Sequence, residues 1–193
     1  MTVLFWLLLI PAAFAAEQRG SCETPFEVPF RTGAELNMNL RAGDIHILGS
    51  ENSAVRVTCE LKVPERAKDV IIIFDDAAKA GRLRIRGGPD GDVRFRIEIP
   101  KDSQLTVRCS AGDLDVVGIR GNKDISLRAG DLTIDVGDPA DYAFTHASVT
   151  AGDVNAKAFG VHKGGLFRSF KRENAAGKYR LRAKLWAGDI NLK

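Results

Sequence analysis

The chain predicts an all-β fold: a β-helical solenoid with repeated corners and a hairpin-rich N-terminal section. Three observations predict it. The tripeptide Ala-Gly-Asp occurs five times, at Ala42-Gly43-Asp44, Ala111-Gly112-Asp113, Ala129-Gly130-Asp131, Ala151-Gly152-Asp153 and Ala187-Gly188-Asp189. Apolar residues alternate on both sides of every copy, but their parity inverts across it: Leu105, Val107 and Cys109 precede one copy, and Leu114 and Val116 follow it. Successive strand residues point to opposite faces, so a continuous strand would turn its apolar set out to solvent after the slip. A corner that absorbs one residue keeps the same face inward, and Gly-Asp suits it: glycine reaches positive φ and aspartate bonds local backbone donors. Third, the aspartates recur at 18, 22 and 36 residues from Asp113 to Asp189, which reads as stacked coils with two in the last gap.

The elements follow in order. Val3 to Ile10 is apolar and Ala13-Phe14-Ala15 is a small-x-small cleavage pattern, so residues 1–15 read as a signal peptide. The run is shorter than the ~20 apolar residues of a membrane span. Residues 16–34, with Pro25 and Pro29, form an extended lead-in, and 35–193 form one domain. Strand alternation marks Leu36–Leu40, Ile45–Leu48 and Val55–Val63, and Pro64 to Lys68 is a polar break. The unbroken apolar run Val70 to Phe74 reads as a strand covered on both faces. Leu83 and Ile85 are expected to pair with Val93 to Ile99 in a hairpin across Gly87-Gly88-Pro89-Asp90-Gly91. From Gln104 the coils continue to the C-terminus, interrupted by an irregular stretch from Gly160 to Gly177.

The Ala-Gly-Asp-aliphatic units, the hairpin and Pro100 entry to the coils, and the Gly177-to-Asp189 ending resemble the bacterial putative-adhesin family. Its members are extracytoplasmic β-helical domains related to toastrack-type domains. The resemblance spans about Glu35 to Lys193. It implies a cell-surface or envelope role and supplies no catalytic residue set.

Charge sharpens that expectation. Net charge is +3 with a sequence pI near 8.8, too mild to demand nucleic acid. Yet nine Lys/Arg stand against only Glu173 and Asp189 between His162 and Lys193. Alternation turns Arg82, Arg84, Arg94 and Arg96 outward in the expected hairpin, and Arg180, Arg182, Lys184 and Trp186 outward in the last coil. Such rows suit an anionic glycan, lipid head group or envelope polymer, or a surface protein. The competing reading is that basic side chains on exposed strands discourage edge-to-edge aggregation. Aromatics beside Arg could stack on a sugar ring or fold down to cap the open end of the core; capping is expected of Phe167 and Phe170, and Trp186 stands open between the two.

The corner residues Gly43, Asp44, Gly112, Asp113, Gly130, Asp131, Gly152, Asp153, Gly188 and Asp189 read as structural. Carboxylates stacked at ~4.8 Å would repel by about 1 kcal/mol in water. Calcium could relieve that, but so can backbone donors, and 18- and 22-residue spacing is unlike a calcium β-roll. Asp113, Asp115, Asp131 and Asp135 could form an acidic patch, the basis of an alternative reading as a carbohydrate-active β-helix enzyme. His46, His146 and His162 show no catalytic or metal spacing. Three cysteines allow three disulfide pairings, but Cys59 and Cys109 read first as small buried hydrophobes. No cofactor or metal is expected. The expectation is a non-catalytic, exported scaffold or adhesin-like binder, periplasmic or at the cell surface, with an envelope-stress sensor domain as a further alternative.

Overall fold

The structure, a computed structural model, describes residues 17–77, 80–89 and 91–193. The expected leader 1–15 and Asp90 of the expected turn lie outside the described residues. In chain order the strands are β1 (Gln18–Gly20), β2 (Phe26–Pro29), β3 (Glu35–Leu40), β4 (Asp44–Ser50), β5 (Ala54–Leu61), β6 (Val70–Ala77), β7 (Ala80–Gly87), β8 (Val93–Pro100) and β9 (Gln104–Ala111). They continue as β10 (Leu114–Val117), β11 (Lys123–Ala129), β12 (Leu132–Ile134), β13 (Tyr142–Ala151), β14 (Val154–Ala156), β15 (Val161–Lys163), β16 (Leu166–Glu173), β17 (Tyr179–Ala187) and β18 (Ile190–Leu192). Short 3-10 turns occupy Pro64–Asp69, Pro139–Asp141 and Lys157–Phe159. No helix among the described residues is long and apolar enough to cross a membrane.

The strands form two nine-stranded sheets around one apolar core. The first sheet runs β1-β6-β7-β3-β9-β11-β17-β13-β16, and the second β2-β5-β8-β4-β10-β12-β18-β14-β15. Each Ala-Gly-Asp carries the chain from a strand of the first sheet into one of the second: β3 to β4, β9 to β10, β11 to β12, β13 to β14 and β17 to β18. Within each sheet these strands are parallel and in register, so Met38, Val107, Ile125, Ala183 and Ala147 form one inward row. Ile45, Leu114, Leu132, Ile190 and Val154 form its counterpart across the core. All ten are buried, as the parity inversion requires.

The corners stack as closely as backbone allows. All five corner glycines have positive φ, from +102° at Gly112 to +156° at Gly43. A Cβ on Gly112, Gly130, Gly188 or Gly152 would stand 2.0 to 2.1 Å from the carbonyl oxygen of the corner glycine in the neighbouring unit. Glycine is therefore required twice over, by conformation and by contact. The aspartates form a ladder beside it. Asp113 Oδ1 accepts the Asp131 N–H at 3.3 Å, Asp131 Oδ1 accepts that of Asp189 at 2.9 Å, and Asp189 Oδ1 accepts that of Asp153 at 2.9 Å. Asp153 Oδ1 accepts the Gly165 N–H at 3.2 Å. Each carboxylate thus meets a backbone donor that offsets repulsion from its neighbour.

Spatial order departs from chain order twice. The β17/β18 unit is inserted between β11/β12 and β13/β14, although it is made last. The 36-residue gap from Asp153 to Asp189 is therefore not two successive coils. It holds β15 and β16, which run antiparallel to β14 and β13 and close that end, and then the inserted unit. At the other end β7/β8 is inserted between β3/β4 and the antiparallel pair β6 and β5. The expected hairpin of Leu83 and Ile85 with Val93 to Ile99 does not form. β7 lies between β6 and β3 in the first sheet, and β8 between β5 and β4 in the second. The Gly/Pro linker crosses between sheets because both strands bury one face in the same core.

Other details also depart from expectation. The lead-in supplies β1 and β2, which extend the two sheets by pairing with β6 and β5. That brings Cys22 beside Cys59, and the two form a disulfide, so Cys59 is not a free core residue. Cys109 is a buried thiol that donates to the Arg41 carbonyl at 3.3 Å. The strand from Val70 is covered on both faces only in part, since Ile71 is exposed. Phe170 is buried at the closing end and packs on Phe159 with ring centroids 5.2 Å apart. Phe167 is exposed and caps nothing.

Candidate functional site

Sheet order divides the candidate residues. Arg82, Arg84, Arg180, Arg182, Lys184 and Trp186 belong to strands of the first sheet, whereas Arg94 and Arg96 are on β8 of the second. Arg82 and Arg84 on β7 are separated from β17 by β3, β9 and β11, four strand spacings or about 19 Å. No single face unites all eight.

Around β8 the charges are closed on themselves. Arg94 Nε donates to Asp44 at 2.6 Å and lies 3.7 Å from Glu60. The hydrogen bond it donates to Asp44 raises the guanidinium above its ordinary pKa. Arg96 pairs with Glu98 at 2.8 Å, and Arg84, on the other sheet, with Glu17 at 3.0 Å. His46 lies between Asp44 and Asp115, at 2.9 and 3.2 Å. The four acids of the sequence-based patch are dispersed in role. Asp113 and Asp131 belong to the corner ladder, Asp115 faces His46, and Asp135 accepts the Gly137 N–H at 3.0 Å. No group of three His, Cys, Asp or Glu able to hold a metal occurs among the described residues.

The neighbourhood of β17 is different. Its register sets Arg180 beside Phe144, Arg182 beside His146 and Lys184 beside Ser148 on β13. The next strand, β16, sets Lys171 beside His146 and Ser169 beside Ser148. Three cations converge on one ring: Arg180, Arg182 and Lys171 lie 5.3, 5.6 and 5.6 Å from the Phe144 centroid. Partial burial, then the charges of Lys184, Arg182 and Lys171, hold the His146 pKa below its ordinary value. Nearby acids are engaged: Asp124, beside Arg182 in register, by Arg108 at 3.0 Å, Glu173 by Lys171 at 2.7 Å, and Glu35 by the Asn37 amide at 3.2 Å. Arg180, Arg182 and Lys184 have no carboxylate partner among the described residues.

Toward the corner edge of the same face lies a groove of about 1030 Å³. Arg108, Arg128, Arg168 and Lys184 contribute charge to it, and Ser126, Ser148, Thr150 and Ser169 contribute hydroxyls. Phe167 and Trp186 also line it, although they are 79% and 63% exposed. Arg168 is oriented by a 2.6 Å hydrogen bond to the Gly164 carbonyl.

The sequence reading singled out Arg180, Arg182, Lys184 and Trp186 but not their neighbours Lys171, Phe144, His146 and Arg168, and it preferred capping to sugar stacking for Phe167, which the structure leaves exposed. β16 is an edge strand in which only Phe170 turns fully inward, so it lacks alternation that would reveal it. It also missed Lys123, a core-facing lysine only 1% exposed that bonds the Tyr142 hydroxyl. Its parity with Ile125 and Leu127 was the available signal.

No family model matches the chain, and a search of curated proteins returns no match. Among solved structures, it is similar to a putative cell adhesion protein from Clostridium sporogenes ATCC 15579. The identity is 16% and the TM-score 0.56, over 88% of this chain and 98% of that one. At that identity the likeness concerns the fold.

Proposed function

We propose that this protein is a non-catalytic, adhesin-like binding protein of the bacterial cell envelope, with a β-helical architecture of the putative-adhesin type, that binds a polyanion through the outer face of β17, β13 and β16. The parallel Ala-Gly-Asp units and the similar cell adhesion protein support the architecture. The Cys22–Cys59 disulfide and the leader-like N-terminus support export to an oxidising compartment. Three acids of the patch, Asp113, Asp131 and Asp135, accept backbone N–H bonds and Asp115 faces His46, which supports a binding rather than a catalytic role.

One observation carries the polyanion reading: β17 is an interior strand, between β11 and β13, yet among the described residues its Arg180, Arg182 and Lys184 form no ion pair with a carboxylate, Asp124 beside Arg182 being taken by Arg108. Protection of a sheet edge explains Lys171 and Arg168 on the edge strand β16, but not an interior row. Adjacent like charges cost stability, and an anionic ligand converts that cost into binding energy. The test is elution from immobilised heparin in rising salt. The Arg180→Ser/Arg182→Ser/Lys184→Ser variant should elute at much lower salt than wild type, and Arg94→Ser/Arg96→Ser close to wild type. Equal shifts for both variants would reduce the effect to net charge and refute the assigned face.

A further inference from the structure

We infer that the groove beside this basic row takes a sugar ring, making the ligand an acidic polysaccharide whose charges are carboxylates, with Trp186 and Phe167 as its stacking walls. The inference rests on the polyanion reading and narrows it to one chemical class. Leu166 and Ala187 both pair with Ala151, so Phe167 and Trp186 stand on either side of Thr150. Two strand spacings separate their backbones, about 10 Å, enough for one ring between two aromatic surfaces at van der Waals distance. Phe167 has φ +53°, in the left-handed region that a bulky residue rarely occupies. A strained aromatic held 79% exposed at the rim of a groove is a poor choice for stability and a good one for a binding wall.

The remaining groups match a uronate better than other polyanions. The floor hydroxyls of Ser126, Ser148, Thr150 and Ser169 can exchange hydrogen bonds with ring hydroxyls. The Arg168 fork is set by Gly164, and a guanidinium meets a planar carboxylate in bidentate geometry. Arg180 and Arg182 beside Phe144 supply a second anion position along the same strands. Polyphosphate has no apolar ring face to bury against Trp186. A lipid surface calls for an apolar depth without polar groups, whereas here Ser126, Ser148, Thr150 and Ser169 stand among Leu127, Val149 and Leu185, a mixed lining that suits a sugar with polar edges and an apolar face.

The experiment is calorimetric titration of the full chain with oligogalacturonate, with inorganic polyphosphate of equal charge and with phosphatidylglycerol vesicles. Trp186→Ala should weaken oligogalacturonate about tenfold and leave polyphosphate within about twofold. Arg180→Ser/Arg182→Ser should weaken both. In a Trp6→Phe background, Trp186 is the sole tryptophan, and its emission should shift with oligogalacturonate but not with polyphosphate. If wild type binds oligogalacturonate and polyphosphate alike and Trp186→Ala weakens both equally or neither, the sugar-ring inference falls while the polyanion reading stands. Preferential vesicle binding lost in Trp186→Ala would overturn it in favour of a lipid surface. If nothing anionic binds wild type, both readings fall together.

Discussion

Gly130→Ala places a methyl group where the stack has no room. Its Cβ would lie 2.1 Å from the Gly112 carbonyl oxygen and 2.7 Å from the carbonyl carbon, at a backbone φ of +115°. Restoring ordinary contact requires the two units to separate by more than an ångström. The hydrogen bonds between those two units oppose that: Gly112 N–H to the Ala129 carbonyl at 2.9 Å, and Leu114 N–H to that of Asp131 at 2.9 Å. Losing both costs about 2 kcal/mol, and a side chain at this φ adds about 2 kcal/mol. The expected destabilisation is therefore ~4 kcal/mol, a large part of the ~5–15 kcal/mol holding a typical domain together. Gly137→Ala is the matched control, since Gly137 has φ +68° with open space around its Cβ position and should cost only about 1 kcal/mol. Equilibrium urea unfolding measures both. If Gly130→Ala costs no more than Gly137→Ala, glycine stacking is not what closes the units together.

Three further outcomes follow from the same geometry. Asp131→Ala removes the acceptor of the Asp189 N–H and should cost about 2 kcal/mol by urea unfolding, whereas Asp131→Asn, which keeps a carbonyl oxygen there, should cost less; equal losses would mean that charge, not hydrogen bonding, matters at the corner. Cys22→Ser removes a cross-link spanning 37 residues and should destabilise by about 4 kcal/mol, with a similar loss in wild type on adding reductant; an unchanged midpoint would show that the lead-in docks without it. Burial lowers the Lys123 pKa to about 8, so the unfolded chain binds more protons above that pH, and stability should rise from pH 8 toward 10 by about 2 kcal/mol. Burial raises the Tyr142 pKa, so its contribution falls only above pH 10, where the unfolded phenol ionises first. Lys123→Met should flatten the rise between pH 8 and 10; a rise that persists assigns it to another group.

The corners were legible because the parity switch is a local constraint: Leu127 and Leu132 can both reach the core only if the chain bends between them. Strand order was not, because a parallel partner leaves no trace in neighbouring sequence. Nothing near Tyr179–Ala187 shows that it slots between strands made earlier. The linker from Gly87 to Gly91 misled for a related reason, since a glycine-rich turn serves a hairpin and a crossing between sheets equally well. Outward basic residues were visible by alternation, but whether each is neutralised depends on partners far along the chain. Arg94 pairs with Asp44 across 50 residues, whereas Arg182 lies over Phe144, and Asp124, its register neighbour on β11, is taken by Arg108. β16 read as irregular, and Phe167 as a cap, because an edge strand at the end of the stack needs little apolar periodicity.

Amide and indole NMR shifts mapped during titration with oligogalacturonate test the assigned face most directly. The account predicts perturbations confined to β13, β16, β17 and the Trp186 indole. Perturbations centred on β4 and β8, around Asp44 and Arg94, would contradict it.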